Sequence, residues 1–108
     1  MALSVVLAVT KDVAEITLTG SLDASSAPLF QTELENAAAL KPKRLVLVVK
    51  DLEFIASAGI RMLIFAKQKM GAGVDVYVIA PQEPILDALR RTGLLHSVIV
   101  QNEFSPAK

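Results

Sequence analysis

One histidine (His96), eleven carboxylates and no cysteine are the groups on which any catalysis by this 108-residue chain would rest. The absence of cysteine excludes disulfides, thiolate nucleophiles and thiolate metal sites. A zinc site is not expected with a lone histidine and no thiolate to accompany it. A serine-histidine-aspartate relay would need His96 to meet Ser57 and Asp23, and no nucleophile-elbow pattern supports that arrangement. His96 sits in Leu94-Leu95-His96-Ser97-Val98 and reads as a structural or exposed residue at a strand edge. Gly71-Ala72-Gly73 is too short for a phosphate loop and lacks the following Lys-Ser/Thr, so it reads as a helix-to-strand turn. No Walker or dinucleotide motif is present. The chain is expected not to be an enzyme and to carry no cofactor or metal.

The stretch richest in information is Lys50 to Arg61. It follows the strongest strand signal, Arg44 to Val49, and runs into the strongest helix signal, Ile60 to Met70. Between them Ser57 is followed by the small residues Ala58 and Gly59. Two readings of Ser57 are open. A serine before a helix accepts hydrogen bonds from the first free backbone N–H groups, which makes it an N-cap. Alternatively its hydroxyl is a switch, because a phosphate placed there faces unpaired N–H groups and the positive end of the helix dipole.

The helix after Ser57 has an apolar arc wider than one sheet contact requires. Ile60, Leu63, Ile64 and Lys67 share a face, yet Met62, Phe65 and Ala66 are also apolar or small. The helix is then either deeply buried, or it leaves Met62 and Phe65 partly exposed as a docking surface of the kind Met and aromatics favour. Arg61, one turn into the helix, opposes the dipole. It is either simply solvated or placed to offset a phosphate four residues earlier.

These residues need a scaffold, and the rest of the sequence describes one. Leu3 to Val9 and Val13 to Thr19 flank the polar break Thr10-Lys11-Asp12 and read as a hairpin, the second strand ending at Gly20. Ala14, Ile16 and Leu18 alternate with Val13, Glu15, Thr17 and Thr19. Ser25 and Ser26 are cap candidates for a helix from about Ala27 to Leu40, with Pro28 tolerated in its first turn. Asp23, between strand and helix, reads as an Asx turn or a capping aid. Lys41-Pro42-Lys43 stops that helix. The continuous apolar run to Val49 suggests a central strand covered on both faces. Val74 to Ile79 forms the next strand, Pro84 to Arg91 a further helix with Gly93 as its cap, and Ser97 to Val100 a last short strand. The tail from Gln101 has little pattern and is expected to fray. The order β-β-α-β-α-β-α-β predicts a single α/β domain over residues 1–108, with a mixed, largely parallel sheet flanked by helices.

Composition sets further bounds. With 53% hydrophobic residues and no Trp, the core has to be aliphatic. Eleven basic and eleven acidic residues cancel, which argues against non-specific nucleic-acid binding and against a polybasic membrane patch. The apolar N-terminus lacks a positive leading region and reads as the first strand rather than a signal peptide. No stretch reaches the roughly 20 apolar residues of a transmembrane helix. A disulfide-free small domain with ample core fits the cytoplasm.

The Asp51-Leu52-Glu53-Phe54-Ile55 run and the Ser57-Ala58-Gly59-Ile60 turn resemble the phosphorylation loop of bacterial anti-sigma factor antagonists, in the STAS (sulfate transporter and anti-sigma antagonist) domain family. Gly20-Ser21-Leu22-Asp23 is similar to a second signature of that family, and Thr92-Gly93-Leu94-Leu95 to the end of its last long helix. The resemblance implies a compact STAS fold and a serine phosphoacceptor at Ser57. It also implies an acidic loop at Asp23 beside that serine, contributing to the partner-binding face. The expected partner set is therefore Asp23, Ala56, Ala58, Gly59, Arg61, Met62 and Phe65. One departure stands out. The family's acidic residue just before the serine is Ala56 here, which bears on kinase recognition and not on the fold. Ala58, in place of a second small hydroxyl residue, leaves Ser57 the only hydroxyl in the turn.

The implied function is that of a regulator which binds an anti-sigma factor serine kinase when unphosphorylated. Phosphorylation of Ser57 would release it, and a serine phosphatase would restore it. The alternative, kept open by Ala56, is an unphosphorylated STAS adaptor subunit of a lipid-transport or signalling complex. A nucleotide-binding domain is a third reading, against which the missing phosphate-binding motifs count.

Overall fold

The polar break at Lys11-Asp12 folds as a two-residue hairpin loop, with Lys11 at φ 52°. It joins β1 (Leu3–Thr10) to β2 (Val13–Leu22), and the two strands pair antiparallel from Leu3 opposite Gly20 to Thr10 opposite Val13. The remaining elements of this computed structural model, which describes residues 3–103, are α1 (Ala27–Ala39), β3 (Arg44–Ile55), α2 (Ser57–Met70), β4 (Asp75–Ile79), α3 (Glu83–Arg91), a 3₁₀ turn (Leu94–His96) and β5 (Ile99–Gln101). The sheet order is β1-β2-β3-β4-β5, and every pairing after the hairpin is parallel. The expected element order and mixed sheet are both present.

Two strands run further than their apolar patterns suggest. Gly20 does not end β2; it sits at φ 105° inside the strand, which continues to Leu22. Its register with β3 shifts between Thr17 and Thr19 and again between Gly20 and Ser21, where β3 carries one extra residue each time. Strand β3 likewise continues past Val49 through the charged Lys50 and Asp51 to Ile55, held by pairs such as Gly20 with Leu52 and Leu22 with Ile55. Backbone pairing thus overrides the local loss of hydrophobicity. His96 lies in the 3₁₀ turn and is exposed, not at a strand edge. The expected fraying of the tail falls mostly outside the described residues.

The helices do not cover both faces of the sheet. The main core joins Ile16, Leu18, Leu45, Leu47, Val76 and Val78 to buried residues of all three helices, among them Phe30 and Leu34 of α1, Leu63 of α2 and Leu89 of α3. The opposite face holds a separate cluster of Val46, Tyr77 and Ile79, which contains no helical residue among those described. The strand order gives the reason. From β2 to β5 the sheet is built in one direction, so successive right-handed crossovers deliver their helices to the same side.

Candidate functional site

Strands β2 and β3 are parallel neighbours, so the loops that follow them emerge side by side. The pairs Ser21 with Phe54 and Leu22 with Ile55 bring both strands to the same level. One residue later the backbone N–H of Ala56 donates to the Leu22 carbonyl at 2.8 Å. The Asp23 loop and the Ser57 turn therefore share one edge of the molecule.

The Asp23 loop is held from within. The Asp23 carboxylate accepts from the Ser25 N–H at 3.0 Å, the Ser25 hydroxyl at 2.8 Å and the Ser26 N–H at 3.1 Å. The Ser25 hydroxyl, followed by bonds from Ser26, holds its pKa below the ordinary value of 3.8. Ser26 stands at the cap position of α1 but makes no side-chain cap bond. Its hydroxyl accepts from the Asp23 N–H and donates to the Ser21 carbonyl, both at 2.9 Å. It closes the loop onto the end of β2 instead of capping the helix.

Ser57 is not an N-cap. Ala56, extended at φ −93° and ψ 176°, holds that position, and Ser57 is the first helical residue. The cause is the length of β3, which keeps the chain extended through Ile55, together with the Ala56–Leu22 bond. The alanine side chain has no acceptor to offer, no acidic residue occupies the first turn, and the helix starts without a side-chain cap. Its first amides lack intrahelical partners by geometry. The Ser57 side chain is exposed.

Gly59 explains why the turn packs so tightly. A Cβ at this position would lie 2.6 Å from Cγ1 of Ile55 and 2.8 Å from Cγ of Leu22. Glycine lets the first turn of α2 settle directly on the ends of β2 and β3, which holds Ser57 beside the Asp23 loop.

Gly59, Leu63 and Ala66 are buried, while Met62 and Phe65 are half-buried and pack against the core. Ile64, which shares a face with Ile60 and Leu63 by spacing, is 41% exposed and follows Ser57 and Arg61 along the outer stripe. The sequence reading missed it because an apolar arc this wide does not define its own centre. Phe54, 51% exposed, was also missed as a candidate, since it lies in what looked like a loop. A third residue comes from far along the chain. Arg91, at the end of α3, lines an open cleft of about 340 Å³ together with Ser57, Ala56, Ile60 and Asp87. No local signal in the sequence links it to Ser57. Arg61 is exposed, and Ala56 and Ala58 are half-buried at the turn.

The lone histidine is absent from the lining of this cleft. Among the described residues no three His, Cys, Asp or Glu side chains are grouped to hold a metal ion, and no helix is long and apolar enough to cross a membrane.

The STAS domain family model matches residues 4–107. The chain belongs to the STAS domain family. No curated protein sequence matches it. Solved structures similar to it include an anti-sigma factor antagonist from Mycobacterium paratuberculosis, 20% identical, with a TM-score of 0.87 over 95% of this chain and 88% of that one. SpoIIAA in its unphosphorylated form is 18% identical, with a TM-score of 0.78 over 94% of this chain and 90% of that one. The phosphorylated form of SpoIIAA, described as a Bacillus cell fate determinant, is also 18% identical, with a TM-score of 0.71 over 94% of this chain and 93% of that one. At these identities the likeness shows the STAS fold.

Proposed function

We propose that this STAS domain is a non-enzymatic anti-sigma factor antagonist switched by phosphorylation of Ser57. With Ser57 free, the edge formed by the Asp23 loop, the Ser57 turn and the outer stripe of α2 binds an anti-sigma factor kinase of the histidine-kinase-like ATPase type. The kinase then transfers the γ-phosphoryl of ATP. The Ser57 Oγ–phosphorus bond forms, the bond from that phosphorus to ADP breaks, and the hydroxyl proton is released. A serine phosphatase hydrolyses the ester and restores binding.

The observation that carries this reading is the placement of Ser57. It is exposed on the first turn of a helix whose amides have no side-chain acceptor, beside a loop that supplies further polar surface. A phosphate there adds about −1.5 to −2 charges at pH 7. The helix start accommodates the anion, so the fold tolerates the modification. A partner contacting Ile64 and the turn would have to desolvate it, which weakens binding. The family match and the solved antagonists support the reading.

Ala56 keeps a second reading in view, that of an adaptor which is never phosphorylated. Incubation with a cognate kinase and ATP separates the two. The switch requires one phosphate, mapped to Ser57, and loss of binding by Ser57→Asp but not by Ser57→Ala in calorimetry. Phosphate at Ser21, Ser25 or Ser26 instead, or an Asp variant that binds like the parent, overturns it. Binding of a partner with no phosphorylation at all favours the adaptor.

A further inference from the structure

Phosphorylated Ser57 would need a counter-charge, and the nearest candidate by sequence is Arg61 on the same helix. The cleft beside Ser57 offers a different one. It opens between the start of α2 and the end of α3, and its charged lining residues are Asp87 and Arg91. Arg61 does not line it. Arg91 Nε donates to Asp87 Oδ2 at 2.8 Å, with the two side chains 79% and 38% exposed. A pair so open to water is weakly held. Asp87 also receives Arg90 at 3.3 Å, and Arg90 in turn reaches Glu83 at 3.9 Å. Asp87 therefore keeps a cation when Arg91 leaves it, and the exchange strands no charge.

We propose that Arg91 is the internal receptor for the phosphate on Ser57, forming an ion pair that spans the cleft and ties the start of α2 to the end of α3. The inference rests on the phosphoswitch reading and adds a second effect to it. A guanidinium meets phosphate oxygens through two parallel N–H donors, which a lysine or the helix dipole alone cannot supply. In the free state the cleft is open to a partner side chain. In the phosphorylated state it is filled by the Ser57–Arg91 pair. Release then follows from loss of a docking cavity as well as from added charge.

The test installs phosphoserine at position 57 of the full chain during synthesis, so that no kinase is needed. The second ionisation of the phosphate, near pH 6 when unperturbed, is followed by phosphorus NMR in the parent, Arg91→Gln and Arg61→Gln. A neighbouring cation favours the dianion, so Arg91→Gln is expected to raise the midpoint by about half a pH unit, and Arg61→Gln to move it less. Asp87→Asn removes the competing carboxylate and is expected to lower it. An unchanged midpoint in Arg91→Gln, or a larger change in Arg61→Gln, overturns the assignment. Because Arg91 is exposed, the variant is expected to fold as the parent does. Failure of any kinase to modify Ser57 would sink the phosphoswitch and leave this measurement unaffected, so the two failures are distinguishable.

Discussion

The Ala56 N–H and the Leu22 carbonyl, 2.8 Å apart, join the end of β2 to the residue that precedes α2. This bond makes one surface of two loops separated by more than thirty positions in sequence. It also fixes where the helix begins, and hence that Ser57 falls inside the first turn with its hydroxyl free of a capping role. The position of the candidate switch is a property of the sheet end, and the residues that maintain that end should control it.

Gly59 is the first of these. A methyl group there meets Ile55 and two atoms of the fully buried Leu22 at 2.6 to 2.9 Å. Replacing a helical glycine by alanine ordinarily gains about 0.8–1 kcal/mol. Overpacking a filled core costs about 1–3 kcal/mol. The clash includes Cγ of Leu22, a branch atom that no rotamer change of the outer methyls removes, so the second effect should win. Gly59→Ala is expected to destabilise by up to about 2 kcal/mol in urea unfolding. An alanine variant as stable as the parent would mean the helix start is not seated as described.

Ala56 leaves a stabilising interaction unmade. It stands at the cap position, extended and half-buried beside the open cleft, with no acceptor for the first amides. Ala56→Asp supplies that acceptor and a negative charge at the positive end of α2. The expected gain is about 0.5–2 kcal/mol, or several degrees in melting temperature. An unchanged or lower melting point would show that the first-turn amides are already satisfied.

Most of the fold was legible because its signals are local or periodic. The alternation of Ala14, Ile16 and Leu18 and the apolar run from Leu45 to Val49 marked strands that the structure contains. The loop pair at Asp23 and Ser57 was visible only through the family resemblance, since nothing local says that two strand ends are neighbours. Three features were hidden for stated physical reasons. Pairing with β2 carries β3 through Lys50, Asp51 and Glu53, which no hydrophobic pattern would extend. The packing of half-buried Met62 against the core and the exposure of Ile64 depend on how α2 sits on the sheet. Arg91 reaches the Ser57 cleft only through the packing of α3, 34 positions away by residue number.

Asp23 should make part of the stability dependent on pH. Its folded pKa lies below the ordinary value, chiefly through the Ser25 hydroxyl and the bonds from Ser26. A depressed carboxylate contributes stability that is present above the unfolded pKa and is lost as pH falls through the folded one. The stability gap between the parent and Asp23→Ala is therefore expected to be constant above about pH 5 and to narrow below about pH 4. Melting curves across that range check the sign. A gap that widens on acidification would contradict the hydrogen bonds assigned to the carboxylate.

The outer stripe of α2 separates a docking role from a core role at adjacent residues. Leu63 is 6% exposed and Ile64 is 41% exposed. Leu63→Ala should cost about 2–5 kcal/mol of stability, as truncation of a packed leucine does. Ile64→Gln should change stability by no more than about 0.5 kcal/mol. If the stripe meets the partner, the same Ile64 change weakens that complex by roughly 1 kcal/mol or more, about fivefold in Kd. Met62→Gln, at a half-buried position packed on the core, should instead lower the melting temperature. Titration of both variants against the kinase, alongside thermal unfolding, reads all of these at once. If Ile64→Gln binds as tightly as the parent while Met62→Gln loses affinity at unchanged stability, the partner face is centred on Met62 and the outer stripe is solvent surface alone.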